Sequence, residues 1–69
     1  MEKNLKGAVI WYNDTKGYGF IRRNVHDSIF CSKKDVIDRD ITKDDIVTYD
    51  EKLGRQGIRA CNVKKIKYV

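Results

Sequence analysis

Three aromatic side chains lie close together in the first half of the chain, at Tyr18, Phe20 and Phe30. Tyr18 and Phe20 are two residues apart in the stretch TKGYGF, and residues i and i+2 of a β-strand lie on the same face. A lysine and two arginines flank these rings. Rings and cations on one surface have the chemistry to stack planar groups and to pair with phosphates.

The strand pattern decides whether the rings face outward or inward. Ile29 and Cys31 alternate with Phe30, so this ring faces outward if these two side chains join Ile21 in the core. Rings in the core would instead bring these three side chains to the surface, because one register holds along a whole strand. We favour exposed rings, although a small barrel also has room for aromatic residues in its core. The expected core consists of Val9, Ile21, Ile29, Cys31, Val47 and Val63.

The distribution of charge is more informative than the net charge of +5. Residues 1–34 hold seven bases and three acids, residues 35–51 hold two bases and seven acids, and residues 52–69 hold six bases and no acid. A fold that joins the two basic ends would present a surface for a polyanion. Ordinary solubilising charge explains the composition equally well. The cations nearest the rings in sequence are Lys16, Arg22 and Arg23.

Five short runs are typical of β-strands, and no run has the clear period of an amphipathic helix. A single helical turn is expected near Asp35–Ile37, polar loops are expected at RRNVHD and KLGRQG, and the last strand is expected to alternate strictly. A closed barrel would protect the strand edges of so short a chain, so we predict one all-β domain over residues 1–69. The five runs are AVIWY, YGFI, SIFC, IVTYDE and IRACNVKKI.

No group of residues in the sequence resembles a catalytic, metal or cofactor site. Cys31, Cys61 and His26 share no recognised ligand spacing, and a cytosolic chain keeps its thiols reduced, so we expect two buried free cysteines. His26 is expected in a loop, and the adjacent carboxylates of Asp44 and Asp45 would point apart. Asp44 is interpreted as a turn residue that tolerates a positive φ. We therefore expect neither an enzyme nor a small-molecule substrate.

The N-terminal segment has no pattern of export or membrane insertion. Its apolar run, Ala8 to Tyr12, is too short for the core of a signal peptide or for a membrane span. A cytoplasmic location and no membrane partner are therefore expected.

The stretch KGYGFI matches the first ribonucleoprotein motif. RNA-recognition-motif domains share this motif, but they carry two helices and place their other aromatic motif earlier in the chain. Here the second aromatic stretch, SIFCS, follows soon after with no helix between, an order that resembles a cold-shock domain. The resemblance covers residues 5–66 through the stretches GAVIWYNDTKGYGFI, IFCSKKDV and GIRACNV. It implies a five-stranded antiparallel OB-fold barrel that binds single-stranded RNA and DNA.

The resemblance also assigns binding residues and an activity. The family pattern implies nucleic-acid contacts at Trp11, Tyr12, Lys16, Tyr18, Phe20 and Phe30. Trp11 is placed by the resemblance alone, since parity within the continuous AVIWY run does not fix its face. Further phosphate contacts are expected from Arg22, Arg23 and Lys33, and from one or two of Lys52, Arg55 and Arg59. The implied activity is to keep transcripts unstructured without ATP or any other cofactor, and a monomer is expected.

The chain departs from the family pattern at several of its contact positions. Ile10 stands where a lysine usually precedes the tryptophan, and the second motif reads Phe-Cys-Ser-Lys in place of Phe-Val-His-Phe. Two ring contacts are thus missing, at Ser32 and Lys33. We hypothesise that binding depends more on phosphate contacts and less on stacking. Drift in a weakly constrained loop, a barrel that has lost binding, and an SH3-like barrel for proline-rich ligands are the alternatives.

Overall fold

The computed structural model describes residues 4–55 and 57–66, which form five strands and one short helical turn. The elements are β1 (Leu5–Asn13), β2 (Tyr18–Asn24), β3 (Asp27–Ser32), a 3-10 turn (Lys33–Asp35), β4 (Ile46–Gly54) and β5 (Gly57–Lys65). The strands close into a barrel in the order β1-β2-β3-β5-β4, which confirms the predicted all-β, five-stranded OB fold. Within the described ranges, no helix has the length and apolar character needed to cross a membrane.

One seam of the barrel departs from the antiparallel pattern. β3 and β5 run parallel, with Phe30 paired to Arg59 and Cys31 paired to Ala60. The reason is the connectivity, because residues 33–45 carry the chain past the position of β5 to β4, and the β4–β5 hairpin then returns alongside β3. β3 belongs to the basic segment 1–34, and β5 belongs to the basic segment 52–69. The seam therefore brings the two basic segments together, which a single positive surface requires.

The core has the predicted register. The six expected side chains are each 3% exposed or less, namely Val9, Ile21, Ile29, Cys31, Val47 and Val63. Val36 and Ile41, from the segment between β3 and β4, pack into the same cluster. Because Ile21 and Ile29 face inward, their neighbours Phe20 and Phe30 must face outward.

A β-bulge at Ile10 sets the direction of Trp11. Strict alternation from the buried Val9 would turn Trp11 inward. Instead, Val9 pairs with Ile21 and Trp11 pairs with Phe20, so that Ile10 is an extra residue in β1. The bulge turns Trp11 outward onto the face that carries Phe20, a position that alternation does not predict.

A second irregularity breaks the alternation that was expected in β5. Asn62 has a φ of 52° and lies at a register shift between β4 and β5. The shift leaves one extra residue in β5, so that Ala60 and Val63 can both face the core. Strict alternation would place these two side chains on opposite faces of the strand. Cys61 is buried, as expected, but lies outside the core cluster because its neighbour Ala60 takes the inward position.

The two predicted polar loops are shorter than expected, because the strands continue into tight turns. β2 runs through Asn24 and β3 begins at Asp27, so most of RRNVHD is strand. The side chain of Asn24 closes this turn by accepting a hydrogen bond of 2.9 Å from the His26 amide. In the same way, β4 ends at Gly54 and β5 begins at Gly57.

The segment between β3 and β4 contains the expected turns at slightly different places. The 3-10 turn spans Lys33–Asp35 and not Asp35–Ile37. Asp44 has a φ of 71°, which confirms its interpretation as a turn residue in the left-handed region.

The buried thiol of Cys31 predicts that the fold loses stability in alkaline solution. Burial raises the pKa of Cys31 from an ordinary value of 9.0 to about 11. Between these values the folded chain retains a proton that the unfolded chain has lost, so stability falls as the pH rises through this window. We expect the urea midpoint to fall between pH 8 and pH 11, and to fall less in Cys31→Val. Equal losses in the two proteins would show that Cys31 does not contribute.

Candidate nucleic-acid interface

Four aromatic rings form a continuous cluster on the outside of the barrel, the ring platform, made up of Trp11, Tyr18, Phe20 and Phe30. The ring centroid of Tyr18, at the centre, lies 5.3 Å from that of Trp11, 6.3 Å from that of Phe20 and 6.0 Å from that of Phe30. The three outer rings are between 37% and 39% exposed, and Tyr18 is half-buried among them. The platform therefore presents a broad aromatic surface to solvent.

The strand register places three of these rings in a row. Phe20, on β2, lies opposite Trp11 on β1 and opposite Phe30 on β3. Neighbouring strands are about 4.8 Å apart. Within the row, the rings of Phe20 and Phe30 touch, with their centroids 5.9 Å apart. The row thus crosses three strands on one face of the barrel.

Gly19 brings β1 and β2 close together beneath this row. A Cβ at Gly19 would lie 2.4 Å from the carbonyl oxygen of Trp11 and 2.8 Å from the Cα of Tyr12. Both atoms belong to the backbone of β1, so no side-chain rearrangement relieves the contact. Since Gly19 lies between Tyr18 and Phe20, this close approach also fixes their positions relative to Trp11.

Tyr12 does not join the ring platform. It follows the outward Trp11, so its ring lies on the other face of β1, where it is half-buried against the core. Its hydroxyl donates a hydrogen bond of 3.1 Å to Oδ1 of Asp14. Burial, followed by this hydrogen bond, raises the pKa of Tyr12 to about 12. A contact between Tyr12 and nucleic acid stays a prediction. The ring of Tyr12 lies on the face of β1 opposite to the ring platform, so a strand bound on the platform would not stack on it.

Two predicted cations stand exposed near the platform. Lys16 lies in the turn between β1 and β2, where its amide donates a hydrogen bond to the side chain of Asn13. Arg22 follows Phe20 by two residues on β2 and shares its outward face. Both side chains are therefore accessible to a strand that crosses the rings.

Lys33 lies beside the β1–β2 turn and is already paired in the free protein. Its amide donates a hydrogen bond of 2.9 Å to the carbonyl of Gly17. Its Nζ lies 3.7 Å from Oδ2 of Asp14, and both side chains are exposed by two-fifths or more. Such a solvent-exposed pair contributes little stability, so a phosphate can replace Asp14 as the partner of Lys33 at small cost.

Arg23 points away from the rings, and the expectation that it lies beside them is wrong. It alternates with Arg22 along β2 and forms ion pairs with Glu51, at 2.8 Å, and with Asp27, at 3.1 Å. Glu51 is only 8% exposed, so Arg23 neutralises a buried carboxylate. Its role is therefore in the fold.

A groove of about 480 Å³ begins at Phe30 of the ring platform and extends over the end of the β4–β5 hairpin. Lys52 and Arg55 are exposed at its edge, whereas Arg59 lies beside Asp35, with Nη2 3.2 Å from Oδ2. The side chains that line the groove include Phe30, Lys52, Arg55, Ile58 and Arg59.

Sequence reasoning missed the two acids that partner Lys33 and Arg59. Asp14 and Asp35 belong to different charge segments of the sequence, and a count by segment does not show which acids come near the rings. The exposed side chain of Ile58, which lines the groove, was also missed.

Comparisons with known proteins agree with this geometry. A family model for the 'Cold-shock' DNA-binding domain matches residues 5–66. The chain is 32% identical to cold shock protein CspC of Bacillus subtilis (strain 168), over 63 residues that cover 87% of this chain and 96% of that protein. It is 28% identical to cold shock-like protein CspG of Shewanella violacea, over 67 residues that cover 91% and 96% of the two chains. The chain therefore belongs to the cold-shock domain family of nucleic-acid-binding proteins.

Proposed function

We propose that the ring platform binds single-stranded RNA or DNA, with bases stacked on the rings and phosphates paired to the surrounding cations. The observation that carries this proposal is the contact between four partly exposed rings on one face, next to Lys16 and Arg22. A ring stacks on any base, and each good stack contributes about 1–3 kcal/mol. The proposed binding is therefore tolerant of sequence.

We further propose that the protein acts as an RNA chaperone. A base that stacks on Phe20 or Phe30 is unavailable for pairing, so the protein binds the open form of a hairpin and not the closed form. Ligands that bind one of two states shift the equilibrium toward that state by mass action. This activity needs no ATP, cofactor or catalytic group, and a monomeric domain in the cytoplasm is sufficient for it.

A hairpin with a fluorophore and a quencher at its two ends tests the chaperone activity. We expect the melting temperature of an RNA hairpin to fall as protein is added, while a blunt duplex without single-stranded ends is bound weakly. Phe20→Ala should reduce the shift, because it removes a stacking surface. An unchanged hairpin melting temperature at saturating protein would contradict the proposal.

The salt dependence of binding tests the contribution of phosphate contacts. Single strands lose affinity with a slope of about −0.7 in log–log form per phosphate contact, so about four contacts give a slope near −3. Raising salt from 50 to 200 mM then costs roughly fiftyfold in affinity. Replacing Lys33 with phenylalanine should make the slope shallower by nearly one contact and strengthen binding at high salt, because a ring replaces a phosphate contact.

Two outcomes separate this hypothesis from drift at Lys33. If Lys33→Phe leaves the slope and the high-salt affinity unchanged, Lys33 does not touch the ligand and the greater dependence on phosphates is wrong. Asp14→Asn is the matched control, because it releases Lys33 from its partner without altering the cation. We expect Asp14→Asn to strengthen binding at low salt.

A further inference from the structure

We propose that the groove beside Phe30 is a fifth base-binding position, in which the planar guanidinium of Arg59 is the stacking surface. This inference rests on the proposed function and names a residue that extends it. Arg59 would then bind through its flat face, with its charge already balanced by Asp35, and not as one more phosphate contact.

The strand register places Arg59 next to the rings. Phe30 and Arg59 are partners across the parallel seam, as are Cys31 and Ala60. Cys31 and Ala60 are 1% and 0% exposed, so both face the core. Their neighbours Phe30 and Arg59 must then both face outward, on strands about 4.8 Å apart.

The ion pair with Asp35 holds one edge of the guanidinium toward the protein. Nη2 of Arg59 lies 3.2 Å from Oδ2 of Asp35, and the two side chains are 27% and 15% exposed. Nε, on the same edge, and Oδ2 of Asp35 are both buried, and neither has a hydrogen-bond partner among the described residues, so the two side chains are joined by charge alone. The Nε–Nη2 edge, one of the two edges that can grip a phosphate with two hydrogen bonds, is thus turned inward, and the faces of the plane remain for a ligand.

The groove has the dimensions and lining of a nucleotide position. Its volume of about 480 Å³ lies within the range of roughly 300–1,000 Å³ found for small-ligand pockets. Phe30 and Ile58 supply apolar wall, and Lys52 and Arg55 stand at the edge for the neighbouring phosphates. A planar cation on this wall stacks on a base as a ring does.

Substitution of Arg59 by lysine distinguishes the effect of the planar guanidinium from that of the positive charge, because lysine keeps the charge and lacks the plane. The probe is a five-residue oligothymidine, one base for each of the four rings and Arg59, together with five versions that each lack one base. We expect Arg59→Lys to weaken binding of the intact oligonucleotide by about fivefold, with an unchanged salt slope. We also expect the penalty for one missing base to disappear in this variant. Full affinity and unchanged penalties at all five positions would overturn the proposal.

Two further variants complete the test, with the thermal midpoint of each used to confirm folding. Arg59→Gln should leave the salt slope unchanged, and a slope shallower by about 0.7 would overturn the proposal by showing a phosphate contact. Asp35→Asn should release the guanidinium, so the slope steepens by about 0.7 and the base-specific penalty shrinks. If Asp35→Asn changes neither the salt slope nor the base-specific penalty, Asp35 does not orient Arg59 and the proposal is overturned. Failure of the wild-type protein to bind the intact oligonucleotide would instead reject the proposed function itself.

Discussion

Alanine at Phe20 or Phe30 is expected to weaken oligonucleotide binding by about 1–3 kcal/mol each, a factor of roughly 5 to 150 in Kd. Both rings lie on the outer face, are 37% and 38% exposed, and touch Tyr18 as well as each other. Each substitution removes one flat surface from the platform. Titration of a pyrimidine-rich oligonucleotide at fixed salt measures the loss.

The folded state should survive these two substitutions. Removing an exposed ring costs chiefly its contacts with other rings, about 0.5–1.5 kcal/mol for each pair. Val25→Ala is the matched control, because Val25 is 77% exposed in the turn between β2 and β3 and belongs to no ring contact. We expect it to bind as the wild type does. If the ring variants unfold but bind normally once stabilised, the rings belong to the core and binding lies elsewhere.

Gly19→Ala is expected to destabilise the folded state strongly. The new Cβ would lie 2.4 Å from the carbonyl oxygen of Trp11 and 2.8 Å from the Cα of Tyr12, so β1 and β2 must separate. Backbone displacement of this kind costs about 3 kcal/mol or more. A chain of this length has about 3–10 kcal/mol of stability in total, so the substitution removes roughly a third of it or more. Circular dichroism with urea unfolding measures the effect.

Gly54→Ala is the matched control for the change at Gly19. A Cβ at Gly54 would meet the Gly57 carbonyl at 3.3 Å and Cδ of Arg59 at 3.6 Å, contacts that a small shift relieves. Its φ lies outside the left-handed region, so alanine brings no backbone strain. We expect a change in stability within about 1 kcal/mol. Similar losses at Gly19 and Gly54 would show that the close approach of β1 and β2 is not critical.

The sequence was sufficient for the core and for the direction of three rings. Ile21, Ile29 and Cys31 alternate with Phe20 and Phe30, and one register holds along each strand. The choice of isoleucine and cysteine for the core therefore determined the direction of all five side chains. Trp11 is different, because the bulge at Ile10 is a backbone irregularity with no signal in a continuous apolar run. Only the resemblance to the family placed its ring correctly.

The electrostatic partners lay beyond what sequence patterns predict. Alternation along β2 places the side chains of Arg22 and Arg23 on opposite faces of the strand. Their adjacency in the sequence suggested a single positive surface, but Arg23 forms its ion pair with Glu51, away from the rings. The pairing of Lys33 with Asp14 and of Arg59 with Asp35 depends on how the 3-10 turn sits against β1 and β5. Such contacts follow from tertiary packing, which local sequence does not encode.

The most direct test of the central claim compares two ligands that differ only in their bases. One is a ten-residue oligothymidine, and the other is an abasic strand of equal length with the same phosphates. Binding is followed by the fluorescence of Trp11, the one tryptophan of the chain, at 50 and 200 mM salt. With two or more stacks of about 1–3 kcal/mol each, we predict at least about thirtyfold tighter binding of the oligothymidine, and salt slopes near −3 for both ligands. Equal affinities for the two ligands would contradict stacking on the ring platform.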